Sequence, residues 1–199
     1  MMTPFIFEKT KDGEVLYDVF SRLVKDRIIF LAGEKMIDND SATTVAASML
    51  WLDSQSKKPI NLYINSAGGI VQAGLFTILD TMNSLESPIH TTCIGEASSA
   101  AAVILAAGEK GERRAYPNAE IMIHDVNAGI IGPAHEIKKT AQRIDLLNER
   151  LAKLLSKFTK QSEAKVKLVM KEETFFSAEE AVKFGLIDKV IGAEVKPKR

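Results

Sequence analysis

The sequence predicts an α/β fold in which parallel strands alternate with helices. Short apolar runs of strand length recur along the chain, and a turn and a segment with helical spacing follow several of them. Strands that alternate with helices form parallel βαβ units, whose crossover connections are right-handed. The chain has 199 residues, which suits one sizeable core, so we predict a single domain over residues 1–199.

The first half of the chain contains three such strand–helix pairs. Each predicted strand is a run of mainly apolar residues bounded by polar or turn residues. The strands are predicted at 27–33, 60–65 and 89–95, and the helices at 41–54, at 71–85 and in the run of small residues that follows Ser99.

The second half begins with two short predicted strands, RRAY and EIMIH, around a Pro-Asn turn. Near the end, SAEEAVKFG predicts a short helix, because Ser177 and Glu180 form a capping box and Gly185 suits the helix C-terminus. The segment LIDKVI is then predicted to be a closing strand.

A long amphipathic helix is predicted from Pro133 to Phe158. Ile137, Ile144, Leu151 and Phe158 recur every seven residues, and a helix of this extent is about 39 Å long. Because that exceeds the width of a small domain, the helix either lies across the whole core or projects and packs on another chain.

The composition excludes several classes of function. Lys and Arg total 26, as do Asp and Glu, so bulk charge favours neither nucleic acid nor an anionic membrane as a partner. The single cysteine, Cys93, rules out an internal disulfide and fits a reducing compartment, where we expect it to be a core residue. Without a membrane-length apolar run or a signal peptide, we expect a cytoplasmic protein.

Three segments with chemical potential follow predicted strands. They are SAGG at 66–69, GEASS at 95–99 and His124-Asp125. Because ligands bind beyond the carboxyl ends of parallel strands, we expect these segments to share one edge of the sheet. The histidines and Cys93 lack the spacing of metal ligands, so we expect no metal site.

Each of these segments has a structural explanation as well as a functional one. Gly68-Gly69 suits a tight turn, or a loop whose backbone N–H groups bind an oxyanion. Ser98 or Ser99 suits a helix N-cap, or a nucleophile at the start of a helix. His124 suits a satisfied structural role, or a general base.

Four segments together resemble the ClpP family, the proteolytic subunits of Clp proteases. They are YDVFSRLVKDRIIF, LYINSAGGIVQAG, CIGEASSAAAVILAAGEKGERRAYPNAEIMIH and SAEEAVKFGLIDKVI. The likeness runs from about Thr3 to Ile191 in the family's order and spacing. It implies a ClpP/crotonase-like spiral of repeated ββα units with a projecting handle helix, and a serine endopeptidase activity.

The resemblance also implies roles for single residues. Ser99 falls on the family's nucleophile and His124 on its general base, while the backbone amides of Gly69 and Ala100 fall on the oxyanion hole. Ser98 would cap the helix or pack beside it. We therefore expect Ser99 to be the residue that attacks a peptide bond.

Assembly and partners follow from the same resemblance. Residues 126–160 correspond to the handle strand and helix that stack two seven-membered rings, and Gly129 and Gly132 would lie in the strand that lines the substrate channel. Residues 1–16 correspond to an axial loop that faces an AAA+ unfoldase of the ClpX, ClpA or ClpC type. The unfoldase would use the ATP, so we expect this chain to hold no cofactor and to receive unfolded polypeptides.

The sequence departs from the family pattern around the third member of the triad. The segment KEETFF places Glu173 where the family has an aspartate, with Glu172 as an alternative carboxylate. Asp125 is discounted because a residue adjacent to His124 on a strand points to the opposite face. The pair Lys171-Glu172 reverses the charges of a family Asp-Arg pair, which would oppose mixed rings with ordinary members.

Two smaller departures concern the glycine turn and the helix after it. Ala67 replaces a proline of the family, which frees φ in the turn. The segment GLFTILDTM is one residue longer than the family pattern, which predicts a local helix irregularity.

Four functions stay open from the sequence. The first is an active Clp peptidase subunit, in homomeric or mixed rings. The second is a poorly active or regulatory subunit that a second ClpP-type chain completes. The third is an acyl-CoA hydratase or thioesterase of the crotonase type, and the last is a binding module.

Overall fold

The computed structural model describes residues 4–11, 13–33 and 36–192. The remaining positions of the predicted domain and axial loop, residues 1–3, 12, 34–35 and 193–199, lie outside the described residues. Within the described ranges, no helix has the length and apolar character needed to cross a bilayer.

Nine strands and seven α-helices make up the described chain. The strands are β1 Phe5–Thr10, β2 Gly13–Asp18, β3 Ile28–Ala32, β4 Ile60–Ser66, β5 Ile89–Ser98, β6 Arg113–Ala115, β7 Glu120–Ile123, β8 Thr174–Ser177 and β9 Lys189–Val190. The helices are α1 Val19–Lys25, α2 Asn39–Gln55, α3 Phe76–Ser84, α4 Ala100–Ala106, α5 Ala134–Thr159, α6 Glu163–Lys171 and α7 Ala178–Phe184.

The main sheet is parallel in the order β3-β4-β5-β6-β9, which confirms the predicted α/β fold. Side chains along its strands alternate between the core and the outer face. In β4, for example, Ile60, Leu62 and Ile64 are completely buried. The strand β7 pairs with β5 in parallel and with β8 in antiparallel orientation. The carboxyl ends of β4, β5 and β7 therefore lie near one another.

The strand β5 pairs with a different neighbouring strand in each of its two halves. Thr91 to Cys93 pair with β6, whereas Glu96 to Ser98 pair with β7. Between these halves, Gly95 has a φ of 82°, and a Cβ on it would lie 2.7 Å from Oδ1 of Asn65. A glycine therefore permits the close approach at which β5 changes partners.

The predicted helix irregularity is confirmed. Val71–Leu75 form a π-helical turn that continues into α3. Within it, a Cβ on Gly74 would lie 2.7 Å from the carbonyl oxygen of Ile37. An extra residue in a helix is accommodated by such a π-bulge, and the glycine lets it pack closely.

The long helix α5 has 26 residues, with Pro133 immediately before it. Its buried residues, Leu151, Ala152, Leu155 and Thr159, all belong to its last nine positions. By contrast, Ile137 is 41% and Leu146 is 66% exposed. The helix therefore projects from the core instead of lying across it, which is the second of the two arrangements predicted from the sequence.

Three parts of the chain differ from expectation. Residues 126–132 form no strand, because no described strand lies beside them to form a ladder. The segment predicted to be an axial loop contains a β1–β2 hairpin, paired from Phe5↔Asp18 to Thr10↔Gly13, and its axial position stays a prediction. The short elements α1, α6 and β8 were not predicted from the sequence.

A buried ion pair joins the end of the chain to the sheet. Nη2 of Arg113 lies 2.6 Å from Oδ1 of Asp188, and Nε lies 2.9 Å from Oδ2. The same guanidinium donates to the carbonyls of Ala106 and Phe158, at the ends of α4 and α5. Burial alone would raise the pKa of Asp188, but the hydrogen bonds and charge of Arg113 lower it overall.

Candidate active site

The three chemically suggestive segments converge on one cleft of about 670 Å³. Gly69, Ser99, Ala100 and His124 all line it. The prediction that these residues share an edge of the sheet is therefore confirmed. A volume of this size is typical of a ligand-binding pocket.

Ser99 occupies the sharp turn from β5 into α4. Its φ of 56° and ψ of −121° lie outside the usual regions for a residue with a side chain. Its N–H donates to the carbonyl of Met122 at 2.8 Å, and its own carbonyl accepts from Ala102 at 3.1 Å. Backbone strain of this kind costs about 1–3 kcal/mol and concentrates at functional sites.

The Ser99 hydroxyl does not cap α4, although the residue stands at the N-cap position. Ser98 is the buried last residue of β5, paired with Met122, so it packs beside the helix and does not cap it. The structural explanation of the two serines as N-caps therefore fails for this site. Ser99 therefore has no capping role and lines the cleft.

The glycine turn packs directly against this strained serine. Gly68 has a φ of 96°, and a Cβ on it would lie 2.6 Å from the Ser98 carbonyl and 2.7 Å from Cβ of Ser99. A Cβ on Gly69 would lie 2.3 Å from the carbonyl oxygen of Ile37. Both glycines are therefore required by close approach, and the turn is tight as the structural explanation proposed.

The turn also leaves backbone N–H groups available. The bridge to Ile37 uses the carbonyl of Gly68 and the N–H of Ile70, so the N–H of Gly69 faces away from Ile37. Within the part of the chain that the structure describes, neither the N–H of Gly69 nor that of Ala100 donates a hydrogen bond to the protein. Both amides belong to residues that line the cleft, which is the requirement for an oxyanion hole.

His124 follows β7 and is half-buried at the edge of the cleft. Two hydrogen bonds donated by backbone N–H groups hold the segment after it. The N–H of Asp125 donates to Met170 at 3.1 Å, and that of Val126 donates to Oδ1 of Asn148 at 2.7 Å. Nδ1 of His124 lies 3.2 Å from Nδ2 of Asn127.

The predicted acid partner, Glu173, is close to His124 along the backbone. Ile123 pairs with Thr174 at the end of the β7–β8 ladder, so the next position would set His124 opposite Glu173. However, Glu173 has a φ of 48°, is exposed and does not line the cleft. Its carboxylate makes no hydrogen bond to His124, and neither does that of the alternative, Glu172.

The comparison with protein families agrees with this site. The family model described as Clp protease matches residues 11–194. This chain belongs to the Clp protease family. The resemblance read from the sequence is thereby confirmed, and the match spans the cleft, the glycine turn and the projecting helix. Clp proteases are peptidases that form oligomeric rings and work with unfoldases.

The two glycines of this Clp protease chain that were predicted to line a substrate channel lie outside the cleft. Gly129 and Gly132 are exposed and stand in the irregular segment before α5. A Cβ on Gly129 would meet nothing within 4 Å, so no close contact explains this glycine. Their place in a substrate channel stays a prediction.

The structure of this Clp protease chain adds residues that the sequence analysis missed. One face of α5 forms a wall of the cleft through Thr140, Arg143, Ile144 and Leu147. Among the lining residues of the described chain, Arg143 alone carries a permanent charge. Asn127 contacts His124, and in the sequence only its spacing of three residues from that histidine could have indicated this contact.

Other titratable groups of this Clp protease chain do not compete for the chemistry. Burial raises the pKa of the Cys93 thiol to about 12, so this cysteine is protonated and unreactive, as expected for a core residue. Among the described residues, no group of three or more His, Cys, Asp or Glu side chains could hold a metal ion.

Proposed function

We propose that this chain is the proteolytic subunit of an ATP-dependent Clp protease, a serine endopeptidase that cuts unfolded polypeptides into short peptides. One observation carries the proposal. Ser99 stands in a strained turn, and its hydroxyl makes no capping hydrogen bond to α4. It lines the same cleft as His124 and the free amides of Gly69 and Ala100. Family membership supports the reaction class.

The residues suit acyl transfer. The Ser99 oxygen attacks the peptide carbonyl carbon while Nε2 of His124 accepts the hydroxyl proton. The N–H groups of Gly69 and Ala100 donate to the oxyanion of the tetrahedral intermediate. The C–N bond then breaks and His124 passes its proton to the leaving amine. Water attacks the acyl ester with the same base, which releases the carboxylic acid product and restores Ser99.

The cleft favours an apolar substrate residue near the cleaved bond. Its walls are mainly aliphatic or methionine side chains, among them Ile70, Val103, Met122 and Leu151. Burial of an apolar side chain there would contribute about 1.5–3 kcal/mol to binding. Arg143 adds one position at which an acidic substrate group is favoured.

Assembly follows from the projecting half of α5. Its apolar residues Ile137 and Leu146 are exposed in the single chain, and burying such residues between chains would stabilise an oligomer. We infer two stacked seven-membered rings held by these helices, in homomeric or mixed form. The β1–β2 hairpin would face a cytoplasmic AAA+ unfoldase, which would bind the ATP in place of this chain.

A second candidate is a subunit that needs another ClpP-type chain for activity. The specific observation in its favour is that Nδ1 of His124 faces an amide and no carboxylate. A base without an acid partner is poorly oriented and its protonated form is less stabilised. Glu173 would then have to be moved toward His124 by contact with a partner.

The first experiment treats the purified chain with a fluorophosphonate probe and maps the adduct by mass spectrometry. We expect labelling at Ser99 that Ser99→Ala and His124→Ala abolish and that the matched control Ser98→Ala preserves. Labelling that requires added ClpP-type chain would favour the second candidate. No labelling at Ser99 under either condition would refute both.

A further inference from the structure

The contact between His124 and Asn127 bears directly on which nitrogen of the imidazole can accept a proton. Nδ2 of Asn127 lies 3.2 Å from Nδ1 of His124, and both residues line the cleft. No other side chain of the described residues makes a hydrogen bond to this ring. The amide therefore takes the place at Nδ1 that the acid of a triad takes.

The hydrogen-bonding capacity of the amide nitrogen limits which nitrogen of the His124 ring can carry the proton. An NH₂ group donates and does not accept, so Nδ1 must be the acceptor in this contact. In the neutral imidazole, the proton then sits on Nε2, which cannot accept the proton of Ser99. A rotation of the amide by 180° would present its oxygen to Nδ1–H and leave Nε2 as a base.

We propose that Asn127 is a positioning residue of this Clp protease chain, whose side-chain amide holds Nδ1 of His124 and thereby sets the tautomer of the base. The inference rests on the proposed roles of Ser99 and His124. With its NH₂ group toward Nδ1, the amide favours the tautomer in which Nε2 carries the proton, and with its oxygen toward Nδ1 it favours the tautomer in which Nε2 is the base.

Other charged groups near His124 are placed less well to act on Nδ1. Asp125 is adjacent in sequence and does not line the cleft. Glu173, at the next ladder position, is exposed, and Arg143 on α5 lines the cleft as a cation. None of these groups makes a hydrogen bond to the ring, whereas Asn127 is in contact with Nδ1.

The first test reads the tautomer directly, without reference to activity. NMR of protein with ¹³C- and ¹⁵N-labelled histidine distinguishes Nδ1–H from Nε2–H, and His124→Gln identifies the signal among the three histidines. We expect Nε2–H in the wild type. In Asn127→Asp, we expect Nδ1–H, because an ionised carboxylate accepts a hydrogen bond and cannot donate one to Nδ1.

The second test measures the rate of fluorophosphonate labelling at Ser99. Replacing the triad aspartate of a serine protease by asparagine lowers kcat about 10⁴-fold through the wrong tautomer. The reverse change here, Asn127→Asp, should therefore accelerate labelling at least about tenfold. A purely structural role for Asn127 would not produce a gain.

Two further variants complete the design. Asn118→Asp makes the same change in the turn at the opposite end of β7 and should alter neither the His124 tautomer nor the labelling rate. Glu173→Gln tests the competing carboxylate. An Nδ1–H tautomer in the wild type that Glu173→Gln abolishes would overturn the proposal, as would an Asn127→Asp variant with an unchanged tautomer. Absence of Ser99 labelling in every variant would instead refute the proposed function, since the NMR result stands independently.

Discussion

The substitution Gly68→Ala should inactivate the site with little loss of the fold. The new Cβ would lie 2.6 Å from the Ser98 carbonyl and 2.7 Å from Cβ of Ser99. A normal carbon contact needs about 3.5 Å, so the serine turn or the glycine turn must move by about 1 Å. A displacement of that size in an active site can cost about a hundredfold in rate.

The cost in stability can be separated from the cost in rate. Gly68 has a φ of 96°, at which an alanine is strained by about 1–3 kcal/mol. Gly111 is a matched control, because its φ is 89° and a Cβ on it would meet nothing within 4 Å. Gly111→Ala should therefore carry a similar backbone strain without displacing Ser99.

The assay compares both variants with the wild type in labelling rate and in the free energy of unfolding. We expect both variants to lose stability, with the larger loss in Gly68→Ala because its Cβ also clashes with Ser98 and Ser99, and about a hundredfold slower labelling at Ser99 in Gly68→Ala alone. Wild-type labelling of Gly68→Ala would refute the reasoning, because the turn would then tolerate a side chain against the serine. Equal slowing in Gly111→Ala would refute it too, because strain alone would account for the loss.

Three other predictions concern the buried ion pair of Arg113 and Asp188, the loss of stability at acid pH, and the preference for acidic substrates. Asp188→Asn should lower the free energy of unfolding in urea by about 3 kcal/mol, because Arg113 stays buried without its counter-charge; a loss below about 1 kcal/mol would contradict this. The hydrogen bond from Lys57, with those from Ser87, lowers the pKa of Asp53 to about 2, so its stabilising effect is complete above the unfolded pKa of about 3.9 and is lost as the pH falls through about 2. The difference in thermal midpoint between wild type and Asp53→Asn should accordingly close over that interval, and a constant difference would count against it. Arg143→Gln should reduce the ratio of kcat/KM for Glu-containing over Lys-containing peptides severalfold, and an unchanged ratio would remove Arg143 from substrate recognition.

Local patterns were sufficient to predict the main strands and helices and four members of the cleft, Gly69, Ser99, Ala100 and His124. The alternation of β4 and the capping box of α7 are short-range signals, and both are present in the structure. The candidate residues Ser99 and His124 could be predicted to converge because parallel topology brings strand ends to one edge. The extra residue in the segment GLFTILDTM likewise predicted a helix irregularity, which the structure shows as the π-helical turn.

Other features depended on contacts that no local pattern carries. The family resemblance implied a strand within residues 126–132, but no described strand lies beside this segment to pair with it. The short elements α6 and β8 owe their form to packing against α5 and β7. Isolated segments of that length are marginal, so their sequences predict them weakly.

The sequence by itself determined the fold class, the strand-end position of the serine and histidine, and the need for glycine in the turn beside them. Only the tertiary structure decided that α5 projects, that Ser99 is strained and uncapped, and that Nδ1 of His124 meets Asn127 while Glu173 lies exposed. The periodicity of a chain specifies which face of an element is buried. The direction of a single side chain at the end of a strand depends instead on backbone angles and neighbours set by distant parts of the chain, such as the φ of 48° at Glu173.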